Sequence, residues 1–214
     1  MITTLITGYE PFDDYSTNPS EQIAEQLDGK TISDTEVVGE VLPVQFEYTS
    51  ELLCDLIDDH NPEIVISLGL APGRSAINIE RIGININSAT GVPDNVNTEP
   101  VNEPIHSDGP DAHFATLPVA EIVAELTDSG IPARVSNTAG THLCNNALYS
   151  VRDYAERNNM DIHSGFVHVP HSPKLAIKSS TAAVSGGAVP PSMPVEMQAD
   201  AVRQSIASTV DHRR

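Results

Sequence analysis

One segment of the chain places a thiol at the start of a predicted helix. Residues 137–146 read NTAGTHLCNN, and Cys144 lies where small, turn-forming residues give way to a helical pattern. A thiol at a helix N-terminus lies near unpaired N–H groups and the positive end of the helix dipole, which favour the thiolate and can receive an oxyanion. The segment therefore predicts a site of acyl transfer. The apolar stripe of the predicted helix consists of Ala147, Leu148, Val151 and Ala155.

Two further residues supply the types that such a thiol needs. His168 lies near the end of a predicted strand, in the sequence GFVHVP, and Glu80 interrupts an apolar strand, in the sequence NIERI. A cysteine nucleophile, a histidine base and a carboxylate that orients the histidine form the usual set for covalent catalysis. Sequence spacing alone leaves open whether the three side chains meet.

Strands and helices alternate along the chain, which predicts the architecture that must position these residues. We predict strands over residues 2–7, 36–44, 64–70, 76–86, 133–136 and 162–169. We predict helices from residue 19 and over residues 48–58, 117–127, 145–157 and 194–210. This pattern favours a single α/β domain over residues 1–214, a three-layer α/β/α sandwich around a largely parallel twisted sheet. Ligands of such sheets bind at the carboxyl ends of the strands.

Two local features qualify this scheme. The apolar alternation of residues 76–86 changes phase at Glu80 and Arg81. A β-bulge that aims Glu80 would cause this change, and so would a strand that crosses between environments with Glu80 salt-bridged on the surface. Residues 172–192 are rich in Ala, Ser, Gly and Pro, which indicates a mobile surface loop.

The charge of the chain excludes several classes of partner. Eleven basic and 30 acidic residues give a formal net charge of −19, which argues against a nucleic-acid or anionic-membrane surface. Acidic residues are spread along the chain and only three lysines occur. This distribution favours a halophilic protein from a salty cytoplasm, and an ordinary acidic cytosolic protein is the alternative. No apolar run approaches the ~18 residues of a membrane span. Cys54 is predicted to be a small buried helix residue, and we expect a cytoplasmic enzyme without a disulfide framework.

Several motifs in this order resemble those of the pyroglutamyl peptidase I family, the pyrrolidone-carboxylate peptidases. The resemblance extends from residue 5 to about residue 200, nearly the whole chain. It implies a cysteine exopeptidase that removes an N-terminal pyroglutamate from peptides through a thioester, without a metal or organic cofactor, and that often forms homo-oligomers such as dimers or tetramers. The motifs are TGYEPF at 7–12, NPS at 18–20, GR at 73–74, IER at 79–81, PDN at 93–95, AGT at 139–141, CN at 144–145, GFVHVP at 165–170 and PSMP at 191–194.

The resemblance also assigns roles to residues. It implies that Cys144 is the nucleophile, that His168 is the general base and acid, and that Glu80 orients the imidazole. It implies that Tyr9 and Phe12 enclose the flat, uncharged lactam ring, which aromatic faces can bury. The residues that it further places in the substrate pocket are Leu70, His142 and Leu143.

Three positions depart from the family pattern. Leu70 stands where the family usually has a glutamine, and His142 replaces a usual aromatic residue. Gly91 stands in place of an arginine associated with the oxyanion site, and losing one such donor typically costs about 100- to 1,000-fold in rate. Arg74 and Arg81 are the candidates to compensate for it.

Two other functions fit the same residues. A paralogue that retains the fold and the lactam pocket but turns over slowly, or not at all, is one alternative. A metal-binding protein is the other, because a zinc ion accepts histidine and cysteine ligands. Its ligands would be His142, Cys144, His168 and His171.

Overall fold

The computed structural model describes residues 2–13, 15–179 and 189–213. Within these residues, nine strands and six helices follow one another in the predicted alternation. The strands are β1 (Ile2–Tyr9), β2 (Thr31–Ile32), β3 (Thr35–Leu42), β4 (Ile64–Leu70), β5 (Ile77–Glu80), β6 (Ile82–Ile84), β7 (Ala112–Phe114), β8 (Ala133–Ser136) and β9 (His163–Val169). The helices are α1 (Pro19–Leu27), α2 (Phe46–His60), α3 (Val119–Asp128), α4 (Leu143–Arg157), α5 (Pro173–Ser179) and α6 (Val195–His212).

Seven strands form one sheet in the order β2-β3-β1-β4-β9-β5-β8. The central strands β3, β1, β4 and β9 are parallel. At one end β5 runs antiparallel to β9, and β8 is parallel to β5, whereas β2 pairs antiparallel to β3 at the other end. The short strands β6 and β7 form a separate antiparallel ribbon. The prediction of a single α/β domain with a largely parallel sheet is confirmed.

Helices cover both faces of the sheet. Helices α1, α3 and α6 pack over one apolar core, and α2 and α4 pack over the other. Side chains of a strand alternate between the two faces. Phe166 belongs to the core beneath α2 and α4, so His168, two residues later, faces the same side. Ile79 belongs to the opposite core, so its neighbour Glu80 also faces α4.

The first helix begins with a side-chain cap at Asn18. Asn18 accepts a hydrogen bond from the Ser20 N–H through Oδ1 at 3.1 Å, and Pro19 occupies the first helical turn. This cap fixes the path of the chain between β1 and α1, where Tyr9 and Phe12 lie.

The predicted strand over residues 76–86 divides into two at Arg81. The Arg81 N–H donates to the Ser136 carbonyl at 2.8 Å, while its own carbonyl accepts from the Ala115 N–H at 2.9 Å. The chain therefore leaves the main sheet after Glu80 and enters the β6–β7 ribbon. This change of environment, rather than a bulge, accounts for the change of phase. The alternative that Glu80 lies on the surface is wrong, since it is fully buried.

Three short elements were not predicted: β2, β7 and α5. Helix α5 covers Pro173–Ser179, so the early part of the loop predicted over residues 172–192 is helical. Residues 180–188 of that loop lie outside the described residues. None of the helices that the structure describes is both long and apolar enough to cross a membrane.

Candidate active site

Cys144 lies in the first turn of α4, because that helix begins at Leu143, two residues before the predicted start. The preceding chain turns through Gly140, whose φ is +81°, and His142 caps the helix in an extended conformation. The N–H groups of a first helical turn have no carbonyl partner within their helix, so they are available to an anion. Cys144 is partly buried against the sheet, where its Sγ lies above Gly69 of β4.

His168 and Glu80, the candidate base and the carboxylate expected to orient it, form a short contact in the interior. His168 Nδ1 lies 2.7 Å from Glu80 Oε1, and both side chains are buried. A carboxylate oxygen only accepts, so Nδ1 carries the proton and Nε2 is left as the free base. Arg74 donates to the same Glu80 oxygen from Nη1 at 2.8 Å. Arg74 and His168 together hold the carboxylate in its ionised form.

Burial sets the resting protonation of the pair. It raises the pKa of the Cys144 thiol to about 12, a shift to which the Glu80 charge adds and which Arg74 opposes. Burial also lowers the pKa of His168, although Glu80 acts in the opposite direction. The expectation that the helix N-terminus would favour the thiolate is therefore not met in the free protein. Both shifts favour a neutral thiol and a neutral imidazole, so that the thiol proton would move when a substrate reacts.

A small, mostly apolar cavity that is partly open to solvent lies beside the thiol, and we call it the closed cavity because it is less open than the neighbouring one. It encloses about 300 Å³, counting its mouth, and contains all five side chains that the sequence assigned to the substrate pocket. Tyr9 forms a buried wall, and its hydroxyl donates to the Leu143 carbonyl at 3.0 Å. The cavity is lined by Tyr9, Phe12, Asn18, Val44, Gly69, Leu70, His142, Leu143 and Cys144.

A second, wider cavity meets the closed one at Cys144. The two share Phe12, Leu70 and His142, but His168 and Arg74 line only the wider one. A chemical group held in the closed cavity would thus have the imidazole on its open side. The structure brings Cys144 and His168 to one cavity wall, with Glu80 directly behind the imidazole.

His142 is held by a loop that follows the β6 strand. Its Nε2 lies 3.1 Å from the Val92 carbonyl, and its ring meets the edge of Phe46 at a centroid distance of 4.7 Å. Asp94 fixes that loop because its carboxylate accepts hydrogen bonds from the N–H groups of Phe46, Val96 and Thr98 at 2.8–3.0 Å. Burial lowers the pKa of His142, so its ring is neutral at neutral pH. The PDN motif thus has a structural role beside the cavity.

The two candidates for the missing arginine lie in different places. Arg74 lines the wider cavity beside Cys144. Arg81 instead donates to the Asn137 side chain at 2.9 Å and is exposed. Gly91 lies in an exposed turn with a φ of +78°. The contact between Arg74 and Glu80 could not be found from spacing, because it depends on the turn after β4.

The histidines and cysteine of the alternative metal site do not form a ligand set. His171 lies beside Tyr15, with Nε2 3.3 Å from the tyrosine hydroxyl. Among the residues that the structure describes, no group of three or more His, Cys, Asp or Glu side chains is placed to hold a metal ion. Cys54 lies in α2, away from both cavities next to Cys144, and burial raises its pKa to about 11.

Comparison with known proteins gives one consistent result. A sequence profile described as pyroglutamyl peptidase matches residues 2–212. The pyrrolidone-carboxylate peptidase of Oceanobacillus iheyensis is 48% identical over 180 residues, which cover 84% of this chain and 89% of the relative. That of Pyrococcus furiosus is 44% identical over 202 residues, or 94% of this chain and 95% of the relative. The solved pyrrolidone carboxyl peptidase from Thermococcus litoralis superposes with a TM-score of 0.94 at 39% identity, covering 100% of this chain and 95% of that one.

Proposed function

We propose that this chain, which belongs to the pyroglutamyl peptidase family, is a cysteine exopeptidase that removes N-terminal pyroglutamate with Cys144 as its nucleophile. The observation that carries the assignment of residues is the buried contact of 2.7 Å between His168 Nδ1 and Glu80 Oε1, behind a cavity wall that His168 shares with Cys144. That contact leaves Nε2 of His168 free to take a proton.

The acylation step follows from these positions. His168 Nε2 takes the Sγ proton as the sulfur attacks the carbonyl carbon between pyroglutamate and the next residue. The carbonyl electrons move to its oxygen, and N–H groups at the start of α4 stabilise the negative charge. Glu80 stabilises the imidazolium that forms. The intermediate then collapses, the C–N bond breaks, and the leaving amine takes the proton from His168, which leaves a thioester on Cys144.

Hydrolysis of the thioester uses the same groups in reverse order. A water molecule gives a proton to His168 Nε2 and attacks the thioester carbonyl. The S–C bond breaks, pyroglutamate leaves, and the sulfur regains its proton. Since His168 lines only the wider cavity, the amine leaves and the water then attacks from the wider cavity. The acyl group stays in the closed cavity during both steps.

The closed cavity suits a pyroglutamyl ring in its chemistry. The ring is flat and uncharged, with one N–H and one carbonyl group. Tyr9, Phe12, Leu70, His142 and Leu143 supply aromatic and apolar surface, and none of the described residues that line the cavity is acidic. A free N-terminal ammonium would find no counter-ion there, so ordinary N-termini are poor substrates.

The setting of the enzyme is part of the proposal. We assign it to a salty cytoplasm, because the net charge of −19 is spread along the chain and both cysteines are free. Half-exposed apolar side chains near the active-site loop, including Val92, Val96 and Tyr48, support a homo-oligomer.

The test is hydrolysis of an L-pyroglutamyl fluorogenic amide in low and in molar salt, with and without a thiol alkylator and a chelator. We expect turnover that the alkylator abolishes and the chelator leaves unchanged. Folded protein that binds the lactam without turnover would favour the inactive paralogue, with Leu70 and Gly91 as the first residues to restore. Loss of activity with the chelator would favour the metal site.

A further inference from the structure

We propose that Asn145, the residue after the candidate nucleophile, is a positioning residue for the reaction. Its side chain ties the start of α4 to β6, the strand that follows Glu80, and so sets the place of Cys144 relative to His168. The inference rests on the proposed function, since it concerns proton transfer from the Cys144 thiol to His168.

The Asn145 amide makes three hydrogen bonds to the backbone at the end of β6. Its Oδ1 accepts from the Ile84 N–H at 2.9 Å, and its Nδ2 donates to the carbonyls of Ile84 and Ile86 at 2.8 and 2.9 Å. Both N–H donors of the amide are thus used, and the partners fix which end of the amide is the nitrogen. Asn145 is only 1% exposed, so its removal would deprive these backbone groups of partners in the interior.

These bonds connect two parts of the candidate site that are far apart in the sequence. Glu80 ends β5, β6 begins two residues later, and Ile84 is the last residue of β6. On the other side of the contact, Asn145 directly follows Cys144 in the first turn of α4. One side chain therefore joins the helix that carries the thiol to the chain segment that carries Glu80.

The packing around these bonds leaves the start of α4 little room to shift. A Cβ on Gly83 would lie 3.0 Å from the Tyr149 backbone nitrogen, so β6 and α4 are already in close contact. Just before the helix, Thr141 and Ser88 exchange two hydrogen bonds of 2.6 and 2.8 Å. Of the bonds between residues 84–88 and residues 141–146, those of Asn145 lie next to the thiol in the sequence.

Asn85 offers a matched control in the same segment. Its side chain also makes three hydrogen bonds of 2.8–2.9 Å to backbone groups, the N–H groups of Ile105 and His106 and the His106 carbonyl. These partners precede β7 in the chain and do not belong to α4, and Asn85 lines neither cavity next to Cys144. Asn85→Ala should therefore remove a comparable set of bonds and leave the thiol in place.

The test is a double-mutant cycle on the alkylation of Cys144 by iodoacetamide, without substrate. The sulfur displaces iodide from the CH₂ carbon of the reagent, and the thiol proton passes to His168 when the two side chains are correctly placed. The unaltered chain is compared with Asn145→Ala, His168→Ala and the variant that carries both changes. Mass spectrometry of the Cys144 peptide follows the modification, because Cys54 is a second free thiol.

The effect of Asn145 should depend on the presence of the base. We expect His168→Ala to slow the alkylation about 100-fold and Asn145→Ala to slow it about tenfold or more. In the His168→Ala chain, adding Asn145→Ala should change the rate by less than about twofold, because no base is left to misplace. Turnover of an L-pyroglutamyl amide by Asn145→Ala should fall about 100-fold, whereas Asn85→Ala should keep both rates within about twofold.

A purely structural role for Asn145 would give a different pattern. Loosening of the helix alone would expose the thiol, so faster alkylation in Asn145→Ala would overturn the proposal. Equal slowing by Asn145→Ala with and without His168 would also overturn it, and so would the same slowing in Asn85→Ala. Should Asn145→Ala not fold, Asn145→Ser, which keeps a short hydroxyl group, enters the same cycle and the same outcomes decide.

The cycle separates this proposal from the proposed function. If His168→Ala slows the alkylation and Asn145→Ala does not, the role of Asn145 alone is overturned. If His168→Ala leaves the rate unchanged, the pairing of Cys144 with His168 fails, and the proposed mechanism fails with it.

Discussion

The Cys144 sulfur lies so close to Gly69 that a Cβ on Gly69 would come within 2.8 Å of it. The same Cβ would lie 2.7 Å from the Phe166 ring. Gly69 has the extended conformation of β4, so the absence of a side chain, rather than an unusual φ, is what the site requires there. The Cys144 sulfur thus occupies space that the side chain of a strand residue would normally fill.

Substitution of Gly69 by alanine should therefore displace the thiol. We expect Gly69→Ala to lower kcat by at least about tenfold and the free energy of unfolding by about 1–3 kcal/mol, the usual cost of overpacking. Gly165→Ala is the matched control, because its Cβ would lie 2.6 Å from the Leu117 side chain, on the other face of the sheet. It should lose similar stability and keep kcat. Equal kcat in both variants would show that the thiol tolerates the displacement.

The two cysteines should differ completely in their effect on activity. Cys144→Ser should lower kcat by about 10³-fold or more while the melting temperature stays nearly unchanged. Cys54→Ser is the control, since Cys54 lies in α2 and lines neither cavity next to Cys144. It should keep full turnover. Turnover that survives in Cys144→Ser would exclude the thiol mechanism.

The pH profile should show an acid limb set by His168. The base must be neutral, and burial lowers its pKa, so kcat/KM should hold down to pH 6.5 and fall below it. Glu80→Gln removes a charge that raises this pKa, so the limb should move to still lower pH while kcat falls. No alkaline loss is expected near neutrality, because the pKa of Cys144 is about 12. A limb above 6.5 would contradict this assignment.

Arg74 should stabilise the fold through Glu80. Although burial raises the pKa of Glu80, hydrogen bonds from His168 and Arg74 outweigh it and lower the value. The stability that the ionised Glu80 contributes is then fully present above pH 4.5, the ordinary pKa of a glutamate. It is lost as the pH falls through the lower pKa of Glu80 in the folded state. Arg74→Met should cost about 1–3 kcal/mol of unfolding free energy at neutral pH. Arg203→Met, which breaks an exposed pair with Asp200, should cost under about 0.5 kcal/mol.

Salt should stabilise this protein. With a net charge of −19, the acidic side chains repel one another at low ionic strength, and dissolved salt screens that repulsion. We expect the melting temperature to rise between dilute buffer and molar salt. Sodium chloride and potassium chloride should act alike if screening is the cause. A melting temperature that does not depend on salt would favour an ordinary acidic protein.

Much of the fold was predictable because its long elements carry clear periodicity. The strand over 64–70 is continuous and apolar, and its observed bounds agree with the prediction. Short elements such as β2 and β7 span two or three residues, too few for any period to appear. In the sequence, the division of the strand at Arg81 appears only as a change of phase in the alternation of apolar residues. Its cause, a second sheet formed with residues 112–114, depends on pairing that no local pattern reveals.

The site was predictable in its residue types and only partly in its electrostatics. The order of the sequence motifs identified Cys144, His168 and Glu80 as candidate site residues. The alternation of side chains along a strand explains why His168 and Glu80 both face α4. The helix N-terminus suggested a thiolate, but burial against β4 outweighs that effect. Burial depends on how helix and sheet pack. The same is true of Arg74, whose partner follows from the turn that joins β4 to β5.

His168 and Glu80 are 88 residues apart in the sequence, and the strands that carry them, β9 and β5, pair antiparallel at one edge of the parallel central strands. Contacts of such long range form late in folding, because the intervening chain must first be closed into a loop. A nascent or partly folded chain would carry its thiol without a competent base. The recovery of turnover after dilution from denaturant would then report the pairing of β5 with β9, so activity would lag behind the return of helical structure.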